Sequence, residues 1–126
     1  MSKKFIMIAG LPGSGKTELG KKIAKDTGKT IVDDPESLED VLLTDGNIVL
    51  TDPFLCETDT RERISLLMKQ RFPDIEQETI FFENDPVQAN ANANRRENRN
   101  VKGLITYLTK VYEPDGDTIP VYKPEN

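Results

Sequence analysis

The sequence predicts an α/β fold, a three-layer sandwich in which helices cover both faces of a mostly parallel, five-stranded sheet. Apolar segments of strand length alternate along the chain with segments of helical periodicity, which favours parallel strands joined by helices. Aspartates directly follow the second and third apolar segments, as expected if both strands end at one edge of the sheet.

The first strand and helix are the most clearly defined. Residues 4–9 form an apolar run suited to a buried strand. A helix is predicted over residues 17–27, because Leu19, Ile23 and Ala24 share one helical face and Gly28 is placed as a C-terminal stop.

The remaining elements follow from periodicity and turn residues. A second strand is predicted over residues 30–32. A short helix should follow it, with Asp34 as its N-cap and Pro35 in its first position. Further strands are predicted at 47–51 and 78–83, with an edge strand at 119–122. Three further helices are predicted: one starts at Thr58 or Asp59 and ends before Pro73, one starts at Asp85-Pro86, and one covers 103–111.

Length and composition narrow the functional classes. A chain of 126 residues predicts a single domain over 1–126, without a membrane span or a signal peptide. One cysteine precludes an internal disulfide and is typical of a cytoplasmic protein. The absence of histidine excludes histidine-based acid–base catalysis, so a catalytic base must be a carboxylate or a lysine.

The net charge is −5, but basic and acidic residues are distributed unevenly along the chain. Residues 1–32 hold seven lysines against two acids, residues 33–62 hold ten acids against one arginine, and residues 86–112 hold five basic residues against one acid. Two basic zones around an acidic one suit a site that grips phosphates and holds a metal or a proton acceptor between them. So acidic a chain is a poor candidate for binding long nucleic acid over its whole surface.

The glycine-rich segment matches the phosphate-loop pattern G-x-x-x-x-G-K-[ST] without a mismatch. Between a strand and a helix, such a loop surrounds a polyphosphate with backbone N–H groups. Lys16 would reach the β- and γ-phosphates of ATP, and Thr17 would ligate Mg²⁺. The predicted nucleotide-binding residues are Gly10, Leu11, Pro12, Gly13, Ser14, Gly15, Lys16, Thr17 and Glu18.

Three carboxylates are candidates for the chemistry. Asp33 or Asp34 would accept the proton of an acceptor hydroxyl, and the pattern does not decide between them; Asp34 would equally serve as a helix cap. Asp52, after the third apolar run, has the form of a metal-holding Walker B acid.

Arginines would offset phosphate charge. Arg95 and Arg99 are four residues apart, so a helix would point both the same way, and residues 86–100 are the predicted lid segment. Arg61 would contact acceptor phosphate or cover the start of its own helix.

With these motifs the chain resembles the small P-loop kinases, and most of all the kinase domain of bacteriophage polynucleotide kinase and related phage-encoded kinases. The resemblance covers residues 7–112 and rests on the loop, the acid after strand two, the segment at Asp52 and the arginines near Arg95. It implies a nucleoside-kinase-like fold with a small helical lid, Asp34 or Asp33 as the base, Arg95 and Arg99 on the donor phosphates, and Asp52 on the acceptor or the metal. The family's arginine for acceptor phosphate is missing, since Glu36 and Ser37 occupy that stretch.

The expected function is therefore a Mg²⁺-dependent kinase that moves the γ-phosphoryl group of ATP to a hydroxyl or a phosphate of a polynucleotide end or a nucleotide. We expect it to act in the cytoplasm, which is the host cytoplasm if the protein is phage-encoded. The alternatives are a small-metabolite kinase, an ATP-hydrolysing switch that acts through a protein partner, and a nucleotide-binding module without catalysis. The sequence gives no oligomeric state.

Overall fold

A computed structural model describes residues 3–95 and 102–124. Two short 3₁₀ helices, at Leu38–Leu43 and Pro53–Cys56, flank the third strand. The longer elements are, in chain order, β1 (Lys4–Ala9), α1 (Lys16–Thr27), β2 (Thr30–Asp33), β3 (Ile48–Thr51), α2 (Thr58–Arg71), β4 (Glu76–Phe82), α3 (Pro86–Arg95), α4 (Lys102–Val111) and β5 (Thr118–Ile119).

The five strands form one sheet in the order β2-β3-β1-β4-β5, and every neighbouring pair is parallel. Met7 at the centre pairs with Leu50 of β3 on one side and with Thr79 of β4 on the other. The α/β prediction is confirmed. Because the chain passes from β1 first to one side of the sheet and later to the other, a crevice opens at the carboxyl ends of the strands, where parallel sheets bind ligands.

Alternate side chains of the central strands feed two cores. On one face Phe5 and Met7 pack with residues of α2, α3 and α4, among them the fully buried Ile64 and Leu108. On the other face Ile6 and Ile8 pack with the cluster that includes Ala24 of α1. These two cores fix the carboxyl ends of the strands, and hence the loops that follow them.

The predicted helix cap at Asp34 and Pro35 is wrong. Asp34 has a φ of 51°, in the left-handed region, and its N–H donates to the carbonyl of Thr51 at 2.7 Å. This bond extends the contact between β2 and β3 by one residue. Asp34 therefore still lies beside the sheet, although the sequence predicts a helix start at this position. The 3₁₀ helix begins only at Leu38, after Ser37.

The end of the chain also differs from the prediction. β5 is confined to Thr118–Ile119, because Tyr122 leaves the sheet and its N–H donates to the carbonyl of Ser14 at 3.0 Å. The segment after β5 therefore packs on the glycine-rich loop. Within 3–95 and 102–124 no helix has the length and apolar character to cross a membrane.

Candidate nucleotide and phosphoryl-transfer site

The glycine-rich loop connects the end of β1 with the start of α1. Gly13 and Gly15 have φ of 88° and 102°, a conformation that other residues rarely adopt, and the Ser14 N–H donates to the Leu11 carbonyl at 3.0 Å. A Cβ on Gly13 would lie 2.4 Å from the carbonyl oxygen of Ala89, so α3 packs directly on the loop. The loop therefore curls around the N-terminus of α1, whose free N–H groups favour a bound anion.

Lys16 lies within this loop, 8% exposed, with its Nζ 3.5 Å from the Leu11 carbonyl. Burial lowers the pKa of its ammonium group, although the carboxylates of Asp33, Asp34 and Asp52 act in the opposite direction. Within residues 3–95 and 102–124 this ammonium group forms no salt bridge, and a triphosphate would supply a counter-ion.

The cavity beside the loop has a volume of about 220 Å³, and we call it the loop cavity. It brings together the loop, the ends of β2 and β3, and α4. Its lining residues are Pro12, Gly13, Gly15, Lys16, Thr17, Asp33, Asp34, Thr51, Asp52, Pro53 and Leu104. The predicted lysine, hydroxyl and three carboxylates thus share one cavity.

The two adjacent aspartates have different surroundings. The Asp33 carboxylate accepts a hydrogen bond from the Thr17 hydroxyl at 3.0 Å and another from the Thr51 hydroxyl. Asp34, turned by its positive φ, interacts with the Asp52 side chain. Asp33 is therefore tied to the start of α1, whereas Asp34 lies near the end of β3.

Asp52 is 4% exposed, and its carboxylate accepts a hydrogen bond from the Phe54 N–H at 2.8 Å as the cap of the 3₁₀ helix Pro53–Cys56. Burial raises the pKa of this carboxyl, and repulsion by Asp34 adds to the effect. A buried carboxylate beside another carboxylate is costly, unless a cation is bound between them.

Asp34 and Asp52 also line a second, wider cleft of about 470 Å³, here called the outer cleft. Its walls come from the segment after β2, the segment after β3 and the start of α2. The lining residues are Asp34, Pro35, Glu36, Ser37, Leu38, Glu39, Asp52, Phe54, Glu57, Thr60 and Arg63. A ligand in the outer cleft and a ligand in the loop cavity would meet at the two shared aspartates.

The hard oxygen donors suit Mg²⁺, which takes one or two protein ligands and leaves its other positions to phosphates and water. Thr17 and Asp52, the predicted ligands, both line the loop cavity, and Asp33 contacts Thr17. In the described ranges no three acidic or cysteine side chains gather closely enough to hold a metal by themselves. The donor set therefore fits a cation that arrives with a nucleotide.

Arg61 does not reach either cavity shared by the aspartates. Its guanidinium is buried and donates to the carbonyls of Leu55, Cys56 and Glu113 and to the Thr58 hydroxyl, at 2.7 to 3.3 Å. It also lies over the Phe81 ring, 4.9 Å from its centroid. These contacts hold the 3₁₀ helix after β3 against α2 and the segment after α4.

The other predicted residues are dispersed. Glu18 is exposed on α1, where it lines a groove together with Gly15 and Tyr122, and its carboxylate is 4.0 Å from the Lys21 ammonium group. Arg95 ends α3 and is exposed. Arg99 lies outside the described residues, as does the end of the predicted lid segment, whose first ten residues form α3.

Sequence reasoning missed two residues beside the loop. The amide of Asn92, buried in α3, donates to the carbonyls of Gly13 at 2.8 Å and Tyr122 at 2.6 Å. Tyr122 lies against Gly15 and lines a groove of about 820 Å³ with Phe82 and Ile119, among others. The alternation of alanine and asparagine in α3 was the available signal, since it supplies a small residue and an amide at the loop.

The chain is similar to known proteins in sequence and in fold. "Uncharacterized protein R277" of Acanthamoeba polyphaga mimivirus is 35% identical over 115 residues, which span 83% of this chain and 80% of that protein. A gluconokinase from Sinorhizobium meliloti 1021 has a TM-score of 0.55 at 16% identity, over 98% of this chain and 84% of that one. The protein APE1195 has a TM-score of 0.64 at 15% identity, over 96% and 86%. No known protein-family profile matches the sequence. The chain thus shares its fold with these two proteins.

Proposed function

The chain belongs to one family with the mimivirus protein R277, and we propose that it is a Mg²⁺-dependent kinase that transfers the γ-phosphoryl group of ATP to an acceptor hydroxyl. One observation carries the proposal. The loop cavity, with the lysine and hydroxyl of a phosphate loop, opens through Asp34 and Asp52 into the outer cleft. A donor and an acceptor therefore have adjoining places, which ATP hydrolysis alone would not require.

ATP would bind with its phosphates in the loop, where backbone N–H groups and Lys16 compensate their charge. Thr17 and Asp52 would hold Mg²⁺, and Asp33 would orient it through Thr17. The ion would neutralise charge that develops on the β- and γ-phosphates. The adenine of ATP would lie in the groove lined by Tyr122, a residue that is 56% exposed and lies next to Gly15.

Asp34 is the proposed general base, because it borders both the loop cavity and the outer cleft whereas Asp33 borders the loop cavity alone. The acceptor O–H would give its proton to the Asp34 carboxylate as the oxygen attacks the γ-phosphorus. The bond from that phosphorus to the β–γ bridging oxygen breaks, and ADP leaves with the electron pair.

Arg95 and Arg99 remain the proposed lid arginines, and residues 86–100 the proposed lid of a single domain over 1–126. α3 would carry Arg95 to the donor phosphates, because Ala89 and Asn92 already contact the loop from the same helix. The polynucleotide or nucleotide acceptor implied by the resemblance stays a prediction.

The test is ADP release from ATP and Mg²⁺, with and without a mixture of small-molecule extract and 5′-hydroxyl oligonucleotide. We expect the mixture to raise the rate at least tenfold, and Lys16→Ala and Asp34→Asn to abolish the rise. Asp26→Asn, on the exposed far end of α1, is the control and should leave the rate unchanged. ADP release that no acceptor accelerates would instead support an ATP-hydrolysing switch.

A further inference from the structure

The outer cleft is where a phosphoryl acceptor would bind if the proposed function is correct. It adjoins the loop cavity through Asp34 and Asp52, so a hydroxyl at its inner end would lie next to the proposed base and the transferred group. Its volume of about 470 Å³ suits a small molecule or one terminal unit of a larger one. The remaining walls then determine which acceptors are tolerated.

Those walls are strongly acidic. Five carboxylates line the outer cleft against a single cationic side chain, that of Arg63. This arginine is already engaged in a salt bridge with Glu39. Once Asp34 and Asp52 are assigned to the chemistry, Glu36 and Glu57 remain on the rim without a cation among the cleft-lining residues.

The negative charge of the cleft walls would repel an acceptor that carries a phosphate group. Polynucleotide ends and nucleotides carry phosphate close to the reacting hydroxyl, and kinases that take them need cations to compensate it. The buried guanidinium of Arg61 donates to protein carbonyls, and this arginine lines neither the loop cavity nor the outer cleft. The acidic rim therefore selects against anions.

The same walls offer favourable contacts to another class of acceptor. Carboxylates accept hydrogen bonds from hydroxyl, amino and ammonium groups. The Phe54 ring, 44% exposed in the cleft, presents a face for an apolar or cationic part of the ligand. Glu57, which also lines the cleft, accepts a hydrogen bond from the Tyr107 hydroxyl at 3.2 Å.

We propose that the phosphoryl acceptor is a small hydroxyl compound without phosphate or carboxylate groups, uncharged or positively charged, that binds in the outer cleft with its reacting hydroxyl at Asp34. This inference rests on the proposed kinase function and narrows its acceptor. It departs from the polynucleotide or nucleotide acceptor that the resemblance implies.

The test separates acceptors by charge. A small-molecule cell extract is divided on ion exchangers into cationic, neutral and anionic pools, and a 5′-hydroxyl oligonucleotide serves as a defined anionic acceptor. We expect the cationic or the neutral pool to raise ADP release by the full-length protein at least tenfold. Acceleration only by the anionic pool or the oligonucleotide would overturn the inference and leave the kinase function standing. No acceleration by any acceptor would refute both.

Substitutions that reverse the charge of one side chain then test whether the acceptor binds in the outer cleft. Glu36→Lys should raise the KM for the active pool at least tenfold and leave the KM for ATP unchanged, because Glu36 lines the outer cleft and not the loop cavity. Glu62→Lys, exposed on α2 outside the cleft, makes the same change of charge as a control. Equal effects of both substitutions would show a general charge effect and contradict binding in the cleft.

Discussion

At the scale of single residues, the site depends on two adjacent carboxylates that face different partners. Asp34 has a left-handed φ and lines the outer cleft with Asp52, while Asp33 accepts a hydrogen bond from Thr17. The two neighbouring aspartates can therefore be assigned different roles. Asp34 would act on the acceptor, and Asp33 would act on the nucleotide and its metal.

The first prediction separates these tasks. Asp34→Asn should lower kcat at least about 100-fold with little change in ATP affinity, because the amide cannot accept the hydroxyl proton. Asp33→Asn should mainly raise the Mg²⁺ concentration needed for half-maximal rate, because the negative charge beside Thr17 is lost while the hydrogen bond can still form. Steady-state kinetics over a Mg²⁺ titration measure both. The assignment fails if Asp33→Asn is the variant that loses kcat at saturating Mg²⁺.

The second prediction concerns the cost of burying Asp52. Burial and the neighbouring Asp34 raise its pKa above the unfolded value of about 3.9, so the ionised carboxylate destabilises the fold at neutral pH. Asp52→Asn keeps an acceptor for the Phe54 N–H and removes the charge. It should raise the melting temperature at pH 7 while it lowers activity.

The gain should shrink as the pH falls through the raised pKa toward the unfolded one, because the wild-type carboxyl then becomes neutral as well. Thermal melts of both proteins from pH 7 downward would measure it. A gain that stays constant over this range would show that charge is not the cause.

At the scale of elements, the loop is held by three separate segments of the chain. Asn92 of α3 donates to Gly13 in the loop and to Tyr122 after β5, and Tyr122 donates to Ser14. The Tyr112 hydroxyl donates to the carbonyls of Ala9 and Phe82 at the ends of β1 and β4. The loop thus keeps its shape through contacts that are distant in sequence.

The third prediction tests this support. Asn92→Ala removes both donated bonds and leaves two carbonyls short of a partner, a change that costs about 1–3 kcal/mol. ATP affinity should fall along with the free energy of unfolding. Asn90→Ala is the matched control, since its amide bonds only Pro86 of its own helix. Titration calorimetry with ATP and denaturant unfolding would measure both, and equal losses of ATP affinity in the two variants would argue against a special role for Asn92.

At the scale of the whole molecule, two helical layers fix the sheet and so the edge at which the residues of the loop cavity meet. α1 covers one face, while α2, α3 and α4 contribute to the core on the other. Lys16 of α1 and the carboxylates of Asp33, Asp34 and Asp52 line the loop cavity together. The first basic zone and the acidic zone of the sequence therefore both contribute to this cavity.

The fourth prediction compares the same substitution at two depths. Leu108→Ala, fully buried in α4, should lower the free energy of unfolding by about 2–5 kcal/mol, whereas Leu43→Ala, 85% exposed, should change it by no more than about 0.5 kcal/mol. Denaturant unfolding of both variants gives the difference. Similar values for the two would contradict the packing of α4 against the sheet.

Much of the fold could be predicted because local signals agree with it. The apolar run before the loop, the glycine after α1 and the helical periodicity before Pro73 each produced an element within a few residues of its observed bounds. The helix start at Asp34 failed because a hydrogen bond to Thr51 of a neighbouring strand overrides the local capping preference. The edge strand was predicted to extend to Tyr122, which instead contacts the loop at Ser14. No local pattern indicates this contact, because the two residues are more than 100 positions apart.

The sequence by itself determined the phosphate loop, the parallel α/β fold and the set of candidate side chains, because a motif of fixed spacing and hydrophobic periodicity are local properties. Only the tertiary structure decided which side chains meet. It separated Asp33 from Asp34, engaged Arg61 with protein carbonyls, and brought Asn92 and Tyr122 to the loop. These outcomes depend on how strands align and helices pack, and packing is set by the whole chain rather than by any one segment of it.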